Sequence, residues 1–269
     1  MCSWNNCTFC EMYTAPQKRF RPKAQADIER ELQTAAAQGW PIRRVFLADG
    51  DAMTLSFRRL LAIMQAIRHY LPTVQRVSSY CLPRNLHNKS AEELAELRQL
   101  GLSLMYVGCE SGDDTVLAAI HKGETFASSL AALQKIKAAG MKSSVMILNG
   151  MGGKRYSEQH AINSARLMNA AQPDYLATLV VTFHSMERIQ QGYNGQYEAL
   201  EQLDLFREIR LMLATLELEK TIFRSDHASN YLVLKGVLNK DKAKLLHTVD
   251  QAIHQPGSVQ LRPEWLRGL

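Results

Sequence analysis

Short apolar runs alternate with amphipathic stretches along the first two thirds of the chain, and a new run begins about every 30 to 40 residues. Each run has the length of one strand, and we interpret it as a strand that is buried on both faces. Strands that are separated by helices in this order predict a parallel sheet. The five runs are RRVFLADGD (43–51), VQRVSSY (74–80), LSLMYVGCE (102–110), SSVMILNG (143–150) and PDYLATLVVT (173–182).

The stretches between the runs carry helix start and stop signals. Ser90 and Glu93 have the spacing of a capping box, and glycines end three of the helical patterns. The stretch after the third run is predicted as a helix in two pieces. Beyond the fifth run, the pattern predicts a long helix over 196–218 and a final helix near 240–254.

These elements predict an α/β fold: a partial (β/α)6 TIM-like barrel with parallel strands and a helical C-terminal elaboration. The chain has 269 residues, of which 46% are hydrophobic, and this is enough for one large core. We therefore expect a single domain over 1–269. Its N-terminal loop and barrel core would occupy 1–182, and a helical C-terminal extension would occupy 183–269.

Composition and charge exclude some classes of protein. The net charge is +6, and a basic group at 18–23 could meet RNA or phosphate, but the pattern favours a solvated loop that enters a helix. The chain does not begin like a secretory signal, and no run approaches the length of a membrane span. We therefore expect a cytoplasmic protein with no membrane partner and with reduced cysteines.

Three of the five cysteines lie within the first ten residues, at Cys2, Cys7 and Cys10. Thiolates at such short spacings can wrap around a compact inorganic centre. A zinc site would need a fourth ligand from far along the chain. A 2Fe-2S site matches the C-x4-C-x2-C spacing but would need a fourth cysteine, Cys81 or Cys109, from a predicted strand. A four-iron cluster would keep one iron open for a substrate or cofactor. All three alternatives remain open on spacing alone.

Polar or glycine-rich residues follow the predicted strands at their carboxyl ends, where barrel enzymes place their chemistry. A strand-to-helix turn with an acidic cap, or ordinary helix capping, would explain several of them without any ligand. The segments are FLADGDAM with Asp49, Gly50 and Asp51; RVSSYCLPRNL with Ser78; YVGCESGDD with Glu110; and SVMILNGMGG with Asn149, Gly150 and Gly152.

The cysteine loop and the order of these segments resemble the radical S-adenosylmethionine (radical SAM) enzymes. Phe9 fits the aromatic residue that precedes the third cysteine, although the family's usual first gap is three residues and here it is four. The resemblance implies that Cys2, Cys7 and Cys10 hold a 4Fe-4S cluster. The fourth iron would bind the amino and carboxylate groups of SAM. Reductive cleavage would then give a 5′-deoxyadenosyl radical that abstracts hydrogen from an unknown substrate.

The resemblance also implies roles for the residues that follow the strands. Asp49, Gly50 and Asp51 would help to hold the methionine end of SAM, and Glu110 would bind its ribose hydroxyls. The segment with Asn149, Gly150 and Gly152 would pack around adenine, and Ser78 would line a polar pocket. The implied electron donor is a protein such as flavodoxin or ferredoxin, and the substrate is a small molecule or RNA. The sequence identifies no catalytic residue.

The segment TIFRSDHASNYLVLKG is so polar that we predict a loop, which makes it a candidate for substrate contacts. It resembles the closing segment of a radical SAM subfamily described as Fe-S oxidoreductase or coproporphyrinogen-oxidase-like. The candidate substrate residues are Arg224, His227, Asn230 and Tyr231, with His184 as a further candidate. A hydrogen-bonded connector without ligands is the alternative.

Two other functions remain possible from the sequence: a metal- or cluster-bearing RNA-binding module and an inactive barrel scaffold. The family's first strand normally precedes the cysteine loop, whereas only Met1 precedes Cys2 here. We therefore expect the cysteine loop to be poorly ordered, or free of metal, unless an upstream strand is present.

Overall fold

A computed structural model describes residues 2–13, 15, 17–18, 20–183 and 185–268. It contains a seven-stranded sheet whose strands follow one another in chain order, and within the described residues β1 and β7 are its two open edges. The strands pair in parallel from β1 to β3 and from β4 to β6, whereas β7 runs antiparallel to β6. The strands are β1 (Arg44–Leu47), β2 (Arg76–Cys81), β3 (Leu102–Glu110), β4 (Lys142–Asn149), β5 (Tyr175–Val180), β6 (Ile222–Ser225) and β7 (Leu234–Val237).

Helices separate the parallel strands, as the sequence predicts. The helix after β3 is in two pieces, α4 and α5, and this confirms the prediction. The long helix predicted over 196–218 is shorter, and α7 is an additional helix that the pattern did not indicate. The helices are α1 (Gln25–Ala37), α2 (Phe57–Tyr70), α3 (Ala91–Gln99), α4 (Asp114–Ala119), α5 (Phe126–Ala138), α6 (Gly153–Ala171), α7 (Met186–Gly192), α8 (Gln202–Thr215) and α9 (Lys242–His254).

The start of α3 shows how local sequence fixes an element. The Ser90 hydroxyl accepts a hydrogen bond from the Glu93 backbone N–H at 3.1 Å, and the Glu93 carboxylate accepts one from the Ser90 N–H at 2.8 Å. Two N–H groups that have no partner inside the helix are thereby satisfied. The predicted capping box is confirmed.

The chain packs into two compact units. The first consists of Met1–Asn5, Met12–Gly108 and Ala131–Ser143, and the second of Asn6–Glu11, Cys109–Leu130 and Ser144–Leu269. The division falls inside the cysteine loop, so that Cys2 belongs to the first unit and Cys7 and Cys10 to the second. The single-domain organisation stays a prediction.

The segment predicted as a loop after the long helix contains two strands, so that prediction was wrong, and the C-terminal extension is not purely helical. Strand β6 pairs in parallel with β5, and β7 returns antiparallel to β6. Arg224 is exposed on β6 while Phe223 and Ser225 are buried, which is the alternation of a strand with one solvated face. Strands of four residues are too short for this alternation to stand out in so polar a segment.

No helix in the described part of the chain is long and apolar enough to cross a membrane.

Candidate cluster and cofactor site

The second half of the cysteine loop is anchored in the second unit by its own backbone and by Phe9. The Thr8 N–H donates to the Ile120 carbonyl at 3.0 Å. Phe9 packs against a buried apolar cluster that includes Val116 and Met151. These contacts of Thr8 and Phe9 therefore hold the loop between Cys7 and Cys10.

Arg188, at the start of α7, fixes the carbonyl groups of the same loop. Its guanidinium donates to the Cys7 carbonyl at 2.9 Å and to the Cys10 carbonyl at 3.0 Å, and a carboxylate oxygen of Glu11 lies 3.9 Å away. Because the guanidinium is a rigid fork, two hydrogen bonds fix the distance between those carbonyls. The loop is thereby shaped before any ligand binds to its sulfurs.

The first half of the cysteine loop is held by Asp51, in the first unit. This carboxylate is 3% exposed and accepts hydrogen bonds from the Ser3 backbone N–H at 2.7 Å, from the Ser3 hydroxyl and from the Asn85 side chain at 3.1 Å. The neighbouring Cys2 sulfur accepts a hydrogen bond from the Asn5 N–H at 3.5 Å. Asp51 therefore anchors the residue next to Cys2, a contact that the sequence did not indicate.

Asp49 and Gly50 form the turn that brings Asp51 inward. Asp49 has a φ of 66° and Gly50 a φ of 108°, which is backbone that glycine adopts easily and aspartate tolerates better than most residues. Asp49 is exposed, whereas Gly50 is buried. Their predicted role at the methionine end of SAM stays a prediction, and so does the pocket role of Ser78, which is buried within β2.

Glu110 ends β3 and forms a buried ion pair. One of its carboxylate oxygens accepts a hydrogen bond from the Lys122 ammonium at 3.0 Å, and the two side chains are 11% and 4% exposed. Glu110 has a φ of 67°, a strained conformation for a residue with a long side chain. The sequence indicated Glu110 as a candidate ligand but did not indicate its cationic partner.

Lys122 also influences the cysteines around it. Burial alone would lower the pKa of its ammonium, but the negative charge of Glu110 and its hydrogen bond outweigh burial and raise that pKa above its ordinary value. Lys122 therefore stays charged in the surroundings that it shares with Cys7 and Cys109. Burial raises the pKa of Cys109 to about 12, so this thiol stays protonated.

The segment after β4, predicted to meet adenine, is held by the C-terminal extension. The Tyr197 hydroxyl donates to the Gly150 carbonyl at 2.8 Å, and the Tyr193 hydroxyl donates to the Met151 carbonyl at 2.6 Å. The Glu208 carboxylate accepts the Gly150 N–H at 2.6 Å. Three buried side chains from residues 193–208 thus fix both polar groups of Gly150 and the carbonyl that follows.

Close packing explains the glycines of this segment. A Cβ on Gly150, whose φ is 88°, would lie 3.1 Å from Leu205, and one on Gly153 would lie 2.8 Å from the Glu198 carbonyl. A Cβ on Gly152 would lie 2.8 Å from the Tyr156 carbonyl. The predicted contact with adenine stays a prediction, because protein packing already requires these glycines.

Asn149 offers a polar atom for a ligand. It is 6% exposed, and its Oδ1 has no hydrogen-bond partner among the described residues. Asn149 lines a small, mostly apolar cavity together with Asn230 and Tyr231. A buried acceptor of this kind favours a group that donates a hydrogen bond.

The four candidate substrate residues differ in the protein groups that their side chains contact. Asn230 is buried and bridges β5, since its amide accepts the Val180 N–H and donates to the Thr178 carbonyl, both at 2.8 Å. His227 is exposed and bonds to Ser229. These contacts are those of a hydrogen-bonded connector.

The other two candidates are also in contact with protein groups. Arg224 donates to the Phe223 carbonyl at 3.1 Å, and the Tyr231 ring lies 3.7 Å from the Arg267 guanidinium carbon. Their substrate role stays a prediction. His184 lies outside the described residues.

The sequence profile of the Radical SAM superfamily matches residues 1–168, more than half of the chain. The chain belongs to the radical SAM superfamily. The resemblance predicted from the sequence is thereby confirmed. Members of this superfamily cleave SAM at an iron–sulfur cluster, so a 4Fe-4S cluster and SAM are the cofactors of the family.

The match to a curated relative covers only part of that protein. The heme chaperone HemW of Bacillus subtilis is 24% identical over 147 residues, which are 53% of this chain and 39% of HemW. This chain therefore spans about two fifths of the length of that curated relative.

Solved radical SAM structures support the fold. Coproporphyrinogen III oxidase (HemN) from Escherichia coli has a TM-score of 0.58 at 12% identity, covering 95% of this chain and 67% of HemN. The methyltransferase TsrM from Kitasatospora setae, solved with cobalamin and a [4Fe-4S] cluster, has a TM-score of 0.53 at 21% identity, covering 66% of this chain and 34% of TsrM. These likenesses confirm the predicted partial TIM-like barrel.

The cysteines of this radical SAM chain fit a thiolate-ligated cluster by their chemistry. None of the five forms a disulfide, and the charged Lys122 lies near Cys7. Among the residues that the structure describes, no group of three or more His, Cys, Asp or Glu side chains is arranged to hold a metal ion. The ligand set Cys2, Cys7 and Cys10 therefore stays a prediction from the sequence.

We expect replacement of Asp51 by alanine to weaken iron binding about tenfold, because a residue that orients a ligand segment typically contributes that much. Asp51 is buried and accepts both hydrogen-bond donors of Ser3, next to Cys2. Iron and sulfide per chain after anaerobic reconstitution measure the effect. Asp27→Ala, on the exposed side of α1, is the control. Equal loading of the Asp51 variant and the control would refute this role.

Replacement of Glu208 by glutamine is expected to change how stability depends on pH. Burial raises the pKa of Glu208, so its stabilising contribution is fully present below the unfolded-chain pKa of about 4.3 and is lost as pH rises through the raised folded pKa. Glutamine still accepts the Gly150 N–H but does not ionise. In denaturant titrations, the free energy of unfolding of the variant should rise relative to that of the native protein as the pH increases from about 4 to about 8. A constant difference would contradict this expectation.

Proposed function

We propose that this chain is an enzyme that uses a 4Fe-4S cluster and SAM to abstract hydrogen from a substrate. The observation that carries the proposal is a cysteine loop whose carbonyls are fixed by Arg188 and whose cysteines form no disulfide, in a chain of the radical SAM superfamily. A loop of fixed shape that presents reduced cysteines is suited to receive a cluster.

Some residues of the chain would bind the cluster, and others would orient the residues that bind it. Cys2, Cys7 and Cys10 ligate three irons of the cluster, and Asp51 and Arg188 position the two halves of the loop. Lys122 supplies a permanent positive charge near Cys7, which would offset part of the negative charge of a thiolate-ligated cluster. When bound and reduced, the cluster and SAM supply a 5′-deoxyadenosyl radical.

The residues after β3 and β4 would hold the nucleoside end of SAM. Glu110 has one carboxylate oxygen committed to Lys122, and its other oxygen would accept a ribose hydroxyl. Asn149 offers an unpartnered acceptor, and the adjoining glycines are held in place by Tyr193, Tyr197 and Glu208. A rigid segment of this kind loses little entropy when a ring packs against it.

Anaerobic reconstitution with iron and sulfide, followed by reduction in the presence of SAM, tests the proposed activity. We expect 5′-deoxyadenosine and methionine in equal amounts. In this assay dithionite supplies the electron, whereas flavodoxin or ferredoxin would supply it in the cytoplasm. A reconstituted four-iron protein that leaves SAM intact would overturn the enzyme proposal.

A second candidate function has support from one relative, since HemW is described as a heme chaperone. On this alternative the chain would bind heme without cleaving SAM. Heme binding at one equivalent per chain, together with no 5′-deoxyadenosine, would favour the chaperone over the enzyme.

A further inference from the structure

Three aromatic rings form an exposed patch on neighbouring strands of the first unit. We call Phe46, Tyr80 and Tyr106, on β1, β2 and β3, the aromatic face. Their ring centroids are 4.8 Å apart for Phe46 and Tyr80, 5.4 Å for Phe46 and Tyr106, and 6.1 Å for Tyr80 and Tyr106. Phe46 is 39% exposed and Tyr80 44% exposed. The rings contact one another but leave much of their surface free.

The strand register places these rings on one side of the sheet. Phe46 is paired with Ser78, and Tyr80 is paired with Tyr106, and side chains two residues apart along a strand share a face. On β2 and β3 the opposite side is covered. Its residues Val77, Ser79, Cys81, Met105 and Val107 are all buried.

Two arginines lie on the same side, nearer the amino ends of the strands. Arg44 and Arg76 are paired in the β1–β2 register, two residues before Phe46 and Ser78. The Nε of Arg76 is buried and has no hydrogen-bond partner within the described part of the chain. Like charges directly opposite each other on a sheet are destabilising, and an anion between them would relieve the repulsion.

We propose that this side of β1 to β3 binds a flat conjugated ring compound that carries an anionic group. The ring lies against the aromatic face, where stacking is favourable for any planar π-system. The anion meets the guanidinium groups of Arg44 and Arg76. Arg76 and Tyr80 are four positions apart along β2, a distance of about 13 Å, and an extended arginine side chain can span about half of it.

Charge argues against two other occupants. A second copy of the chain packed face to face would bring arginines against arginines, and a purely apolar partner would leave the Arg76 Nε buried without an acceptor. A planar anion satisfies both the rings and the guanidinium groups. Its identification as the substrate class rests on the proposed function, whereas its binding does not.

Flavin mononucleotide and riboflavin make a matched pair of probes, because they share the ring system and differ by one phosphate. With the cluster-free full chain, quenching of flavin fluorescence should show that flavin mononucleotide binds at least about tenfold more tightly than riboflavin. Arg76→Gln should remove this difference. Tyr80→Leu should weaken both probes about tenfold. Trp265→Leu, at a position 80% exposed outside the aromatic face, should change neither.

Three results would overturn the proposal. Equal binding of the two flavins, or binding of neither, would show that the ligand is not a planar anion. Competition by S-adenosylhomocysteine would assign the flavin to the nucleoside site instead. Binding of a single-stranded RNA oligonucleotide without any binding of flavin mononucleotide would indicate a nucleic-acid surface. None of these results depends on SAM cleavage, so failure here and failure of the proposed enzyme activity are distinguishable.

Discussion

Replacement of Lys122 by methionine is expected to lower the free energy of unfolding by about 3–5 kcal/mol. The Lys122 ammonium and the Glu110 carboxylate lie 3.0 Å apart, and both side chains are almost fully buried. Removing the cation alone leaves a carboxylate buried without a counter-charge. Urea denaturation of the cluster-free protein, followed by circular dichroism, measures the loss.

Two controls separate the buried pair from a general loss of charge. The double variant Glu110→Gln with Lys122→Met removes both charges and should recover most of the stability. Lys235→Met breaks the pair with Asp226, whose side chains are 55% and 34% exposed, and should cost only about 0–1 kcal/mol. A Lys122 variant no less stable than the Lys235 variant would show that Glu110 does not need its partner.

Replacement of Cys7 by alanine is expected to abolish four-iron cluster formation, because two thiolates do not hold the cluster that three are predicted to hold. Cys2→Ala and Cys10→Ala should behave alike. Cys81→Ala is the matched control, since Cys81 is buried and its thiol donates to the Leu82 carbonyl. Iron and sulfide analysis with absorbance spectra after anaerobic reconstitution distinguishes the variants.

The same cysteine series separates the cluster types that spacing alone left open. Loss of iron in Cys81→Ala or in the corresponding Cys109 variant would indicate a fourth cysteine ligand and a 2Fe-2S centre. One zinc per chain in protein purified under anaerobic conditions, with no bound iron, would indicate a structural zinc site. Four irons that depend on Cys2, Cys7 and Cys10 alone would exclude both.

The parallel strands could be predicted from the sequence because continuous apolar runs such as LSLMYVGCE lie between helices with recognisable ends. The four-residue strands β6 and β7 could not, since Arg224 and other polar residues fill their solvated positions. A four-residue strand with only one or two buried positions does not differ from a loop in its composition.

The cysteine loop and Glu110 could be found from the sequence because spacing and position after a strand are local signals. Their partners could not be found in this way. Arg188 lies 181 residues from Cys7, and Tyr197 lies 47 residues from Gly150. Only folding brings these residues together, and a single sequence gives no signal that pairs them.

The proposed open coordination site on the fourth iron is tested most directly by electron–nuclear double resonance on the reduced, reconstituted protein with SAM labelled with 15N at its amino group. We predict a 15N hyperfine coupling between the reduced cluster and the amino nitrogen, which unlabelled SAM would replace by a 14N coupling. A coupling to a fourth protein ligand, together with a spectrum that SAM leaves unchanged, would contradict the cluster arrangement proposed for Cys2, Cys7 and Cys10.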